Sequence, residues 1–97
     1  MTSSTVKILP FSQKLSFPQR QRCKINGVAY DFFFRWNETG SFVTARIVRV
    51  KDNYQVWSGK LTQWWVRVIK DEDAEEIFLL WVEAANPNRV EVWVFWD

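Results

Sequence analysis

A chain of 97 residues with one cysteine, no histidine and a net charge of +2 makes a single domain, long enough to bury a core without metals or disulfides. Cys23 has no partner for an internal disulfide, and without histidine there is neither an imidazole metal site nor a histidine general base. Most familiar hydrolase and metalloenzyme chemistry is thereby excluded, and the chain reads as non-enzymatic, with no cofactor and no metal.

Helical periodicity is scarce, whereas runs of Val, Ile, Phe, Tyr and Trp recur between short polar breaks, the pattern of an all-β domain. In chain order, strands are predicted over residues 6–9, 21–25, 28–36, 42–51, 55–57, 61–69, 77–83 and 89–96. The expected architecture is a small antiparallel sandwich or barrel of about seven to eight strands, formed by residues 1–97 as one domain. Residues 1–18 form an extended N-terminal arm, whose Ser/Thr-rich first five residues are the expected flexible piece. Asn26 and Gly27 supply the positive-φ pair of a two-residue hairpin turn. The stretch "NETGS" suits a longer hairpin loop, "KDNY" a polar turn, and "ANPN" puts Pro87 where no ladder donor is needed.

Side chains alternate between the faces of a strand, so parity sorts the aromatics. Over 28–36, Val28, Tyr30, Phe32, Phe34 and Trp36 form a core face, leaving Phe33 with Asp31 and Arg35 on the other. Over 89–96, Val90, Val92, Val94 and Trp96 face inward, so Trp93 and Phe95 share the outer face with Arg89 and Glu91. Over 61–69, Thr62, Trp64, Val66 and Val68 are expected inward, and Trp65 outward beside Gln63 and Arg67. The run 77–83 is apolar on both faces, with Ile77, Leu79 and Trp81 opposite Phe78, Leu80 and Val82.

A sandwich needs one apolar face per strand, so this chain carries a surplus. Large aromatics bury roughly 150 to 250 Å² each, and at about 25 cal/mol per Å² half-burial of four of them is worth on the order of 10 kcal/mol. That is comparable to the ~4 to 15 kcal/mol that association costs. Phe33, Trp65, Trp81, Trp93 and Phe95 are therefore the expected partner contacts.

Charge is divided along the chain. Residues 1–70 hold 12 Lys and Arg against Asp31, Glu38 and Asp52, while in 71–97 Arg89 alone faces eight acids. The halves neutralise one another either within the folded domain or across a contact between subunits. Arg20, Arg22, Arg35, Arg46 and Arg49 are the expected electrostatic docking residues.

The acids Asp71, Glu72, Asp73, Glu75 and Glu76 lack the ligand spacing and glycine of a calcium loop and read as a solvated turn. Asp31 and Glu83 have nothing to fix a glycosidase separation. Cys23, between Arg22 and Lys24, reads as a strand-interior thiol. The interleaving of arginines with aromatics is compatible with a single-strand nucleic-acid binder, but the acidic final third counts against phosphate, so a nucleic-acid partner is not expected. Trp57, Trp64, Trp65, Trp81 and Trp93 could hold sugars. Carbohydrate modules, however, normally work outside the cell. The N-terminal stretch lacks the charged-then-apolar run of a signal peptide, and no apolar run nears the ~18 residues of a spanning helix. Residence in a reducing cytoplasm, or release from it by lysis, is expected, with no membrane partner.

The stretch "ILPFSQKLSFPQRQRCKINGVAYDFFFRWNETGSFVTARIVRV" resembles the small baseplate plug proteins of contractile-tailed phages, related to the cyanophage baseplate plug family. The shared order is an Ile-x-Pro segment, a Pro/Gln/Arg linker, an "NGVAY"-like hairpin, an aromatic strand ending in "RWNETG", and a strand leading to an "SGK"-like glycine. It spans about residues 6–61; the remainder departs from the Gly- and Leu-rich ending of such proteins. The resemblance implies a structural virion protein at the distal end of the tail tube, closing it until injection. It would contact hub, spike and tube, as a homo-oligomer of threefold symmetry, having assembled in the host cytoplasm. Residues 6–17 would then add a strand to a neighbour's sheet edge.

Overall fold

The computed structural model describes residues 5–12 and 16–97, and the chain is all-β. Eight strands follow in order: β1 (Thr5–Ile8), β2 (Gln19–Ile25), β3 (Val28–Asn37), β4 (Phe42–Arg49), β5 (Tyr54–Leu61), β6 (Trp65–Lys70), β7 (Glu76–Asn86) and β8 (Arg89–Trp96). They form two antiparallel four-stranded sheets, the first in order β2-β3-β4-β5 and the second in order β1-β8-β7-β6. Residues 1–4, most of the expected flexible piece, lie outside the described residues.

Local chemistry sets each turn. Asn26 and Gly27 have φ of 50° and 80°, the two positive values that let a tight turn match strand twist. An added Cβ at Gly27 would meet nothing within 4 Å, so Gly27→Ala costs only the backbone strain of a left-handed alanine. Denaturant titration is expected to find about 1 kcal/mol. In the loop after β3, the Asn37 side chain accepts from the Gly40 amide at 2.9 Å. Between β7 and β8, Asn86 accepts from the amides of Asn88 and Arg89 at 3.0 and 2.8 Å. Both are side-chain oxygens replacing the ladder partners that a turn removes.

The core lies between the sheets. The first contributes Ile25, Tyr30, Phe32, Phe34, Val43 and Ile47; the second contributes Ile69, Phe78, Leu80, Val82, Val92 and Val94. Phe78 joins the layers, its ring 5.6 Å from that of Tyr30 and 6.3 Å from that of Phe32. At the open edge, the Trp57 ring folds over Gly59, where a Cβ would come within 2.8 Å of it. Cys23 is buried in this core, and burial pushes its thiol pKa up rather than down.

The N-terminal segment stays with its own chain. β1 pairs antiparallel with β8 of the same chain, Thr5 opposite Trp96 through Ile8 opposite Trp93. Leu9 then donates its amide to the Val92 carbonyl at 2.9 Å and is buried. Phe11 packs edge-on against Phe34 at 5.8 Å, closing one end of the core. Gln19, buried, ties this crossing down by accepting from the Ser12 amide and donating to the carbonyls of Ser12 and Ser16.

One strand differs from its expected parity. Residues 61–69 are not a single strand: Leu61 ends β5 in the first sheet, a corner over 62–64 changes sheets, and β6 begins at Trp65. Trp64 occupies this corner at φ 62° and is 68% exposed. Val66 and Val68 point outward, while Ile69 is buried and half-buried Trp65 shares its parity. Trp65 is therefore on the core side, capped at the rim by Arg67, whose guanidinium lies 4.0 Å above its ring. The rule that the apolar set faces the core fails here because the outer face of the second sheet is itself apolar.

Candidate functional site

Strand pairing assembles that outer face. Across the second sheet the register gives one rung of Val6, Phe95, Leu79 and Val68, and an adjacent rung of Ile8, Trp93, Trp81 and Val66. Val6, Ile8 and Val66 each remain more than half exposed, and Leu79 and Val68 are exposed as well. Trp81, Trp93 and Phe95 are half-buried between them and line a shallow apolar depression with Val66 and Leu79. Four strands at about 4.8 Å spacing carry this surface across roughly 15 to 20 Å, the scale of apolar patches that mark interaction sites.

The polar atoms of these rings are already satisfied. Trp81 donates its indole N–H to Glu83 at 3.0 Å, and Trp93 donates to Glu91 at 2.8 Å. Arg89 adds a 2.7 Å bond to Glu91, and the two donors together hold the Glu91 carboxyl below its ordinary range. A partner covering the rings thus needs no acceptor for them, so covering this face removes apolar area from water without stranding a donor.

The first sheet presents a different outer surface. Arg20, Phe33 and Arg46 form one row across β2, β3 and β4, and Arg35, Thr44 and Lys60 form the next across β3, β4 and β5. The Arg46 guanidinium lies 4.4 Å over the Phe33 ring, and the Lys60 ammonium 4.9 Å from the Phe42 ring. Asp31 is buried under Arg22, which donates to it at 2.8 and 3.1 Å, with Arg20 at 3.9 Å. Those cations keep the Asp31 carboxyl ionised to lower pH than usual.

The expected site residues thus divide into separate groups. Trp81, Trp93 and Phe95 come together on the second sheet; Phe33, Arg20, Arg35 and Arg46 come together on the first, with Arg22 engaged by Asp31 beside them. Trp65 belongs to neither face. Nor does Arg49, which leaves the basic surface and bonds Asp52 at 2.9 Å and Glu72 at 3.1 Å, linking the first sheet to the β6–β7 turn of the second. The charged halves therefore meet within one chain at this point. Parity on single strands put Leu79 on the face of Trp81 but missed Val6, Ile8, Val66 and Val68; register counted outward from the β6–β7 turn would not have found the last two, because it shifts between Ile69 and Lys70.

The Arg49 cluster carries a pH prediction. Arg49 holds the Asp52 carboxyl down to about 2 and that of Glu72 below its usual value. Carboxylates depressed on folding stabilise fully above their unfolded pKa of about 4 and lose that contribution as pH falls through the folded value. The melting temperature is expected to drop between about pH 4 and pH 2, and to drop less in Arg49→Gln.

Other candidate chemistry does not converge. The carboxylates of Asp71, Glu72 and Asp73 lie within 4.8 Å of one another, but Asp71 accepts from the amides of Asp73 and Glu75, and Glu72 serves Arg49. Asp31 and Glu83 belong to different sheets, which stack about 10 Å apart. Of the five tryptophans that could hold sugars, Trp57 covers a core edge, Trp64 a corner and Trp65 a rim, while Trp81 and Trp93 form a cross-strand pair. No family model, curated protein or solved structure matches this chain.

Proposed function

We propose that this chain is a non-enzymatic structural subunit, incorporated into a larger protein assembly through the outer face of its second sheet. The observation that carries this reading is the pair of rungs, eight apolar side chains in register across four strands, with both central indoles already hydrogen-bonded inside the face. A surface of this kind left in water favours association. A neighbour with a complementary apolar patch, and donors at its margin for Glu83 and Glu91, is the partner this chemistry selects.

In its most specific form the assembly is the baseplate of a contractile phage tail, with the subunit closing the distal tube against hub and spike, as one of several copies. The resemblance over residues 6–61 supports that identification, and the docking face supports the structural role. Mass spectrometry of purified tails is expected to find the chain there, and the mass of the isolated protein in solution to show whether copies associate before assembly. Absence from tails would remove the baseplate reading. A strictly monomeric protein with no affinity for any tail component would remove the structural role as well.

A further inference from the structure

The docking face leaves the outer surface of the first sheet unused. Its groove, about 640 Å³ in volume, is walled by Arg20, Arg35, Arg46 and Lys60 around Phe33 and Thr44. Among the described residues, Arg35, Arg46 and Lys60 have no carboxylate partner, and the acid on this face, Asp31, is buried and held by Arg22. The acids that count against a phosphate ligand in the sequence lie elsewhere: β7, β8, the residue that follows β8 and the turn joining β6 to β7 carry them, on the strands and connections of the second sheet.

We infer that this groove binds single-stranded nucleic acid. The four cations neutralise backbone phosphates, and one base stacks on Arg46. Among single-strand binders, affinity comes from cations tracking the backbone together with flat groups for the bases. Here the flat outer surface is the Arg46 guanidinium, backed at 4.4 Å by the Phe33 ring, and bases stack on guanidinium planes as they do on rings. An acidic peptide would satisfy the arginines but has nothing to lay on that plane. The inference stands apart from the docking face, since the two surfaces belong to different sheets.

Fluorescence anisotropy of a labelled oligothymidylate of about twenty bases, titrated with the full chain, tests it. Binding is expected at low salt, weakening as salt rises with a log–log slope of about −2 to −3, since three to four phosphates contribute about 0.7 each. The Arg35→Gln/Arg46→Gln variant is expected to flatten that slope by about 1.4 and to weaken low-salt binding by roughly tenfold or more. Arg67→Gln, a cation of the second sheet, is expected to bind as the parent does. An abasic strand of equal length is expected to bind about fivefold or more weakly, the loss of one stacked base. Absence of salt-dependent binding, an unchanged slope in the double variant, or equal affinity for the abasic strand or polyglutamate would overturn the inference. Circular dichroism confirms that the variants compared are folded.

Discussion

Phe32→Ala is expected to destabilise the domain by about 3 to 5 kcal/mol, the cost of deleting a fully buried phenylalanine and leaving a cavity. Phe32 is 1% exposed and packs its ring against Phe34 in its own sheet and Phe78 in the other. Its loss therefore weakens the contact between layers as well as the first sheet's own packing. At about 4 to 8 °C per kcal/mol for a domain of this size, the melting temperature falls by more than about 12 °C. Phe33→Ala removes the same ring one residue later, from the opposite face, where its partner is Arg46. That change is expected to cost about 1 kcal/mol, the value of an exposed cation–π contact. Denaturant titration of the two variants checks both numbers, and equal costs would mean that the β3 parity is misassigned.

The second large effect is on assembly rather than folding. Trp81→Ser/Trp93→Ser removes the centre of the proposed docking face, a directly opposed cross-strand pair. Within the isolated domain this loses a pair worth up to about 1 kcal/mol and leaves Glu83 and Glu91 free to solvate. Against a neighbour it is costlier: half-covering each indole buries roughly 100 Å², or about 2.5 kcal/mol at 25 cal/mol per Å². The two together weaken association by about three to four orders of magnitude. The variant is expected to melt within a few degrees of the parent yet to be missing from assembled particles. Unfolding of the isolated variant would instead make these rings part of the core.

How far the sequence carried depended on whether one face of a strand was polar. In β3 the charged Asp31 and Arg35 mark the outer face, so period-two alternation identified Tyr30, Phe32 and Phe34 as core, and all three are buried. In β8, Glu91 marks the face of Trp93 and Phe95 in the same way. The criterion failed in β6, where Val66 and Val68 are apolar but outward, and where Arg67 shares the inward parity of Trp65 and Ile69 and lies over the Trp65 ring. Both faces of the second sheet are apolar in its middle strands, so hydrophobicity alone cannot choose between them. Long-range pairing was beyond the pattern altogether. That β1 lies beside β8 places Val6 and Ile8 next to Phe95 and Trp93, a contact made across nearly the whole chain. Arg49 illustrates the same limit, since its place at the end of β4 set it among the basic residues while its partner Glu72 lies 23 residues further on.

In the proposed assembly a neighbouring subunit shelters the outward rings of the β1-β8-β7-β6 sheet. Oxidative footprinting read by mass spectrometry, on the isolated chain and on purified tails, addresses it directly, with exposed corner residue Trp64 as the reference. Oxidation of Trp81, Trp93 and Phe95 is predicted in the isolated chain, with strong protection relative to Trp64 in the particle. Equal labelling of the three rings in both samples would contradict it.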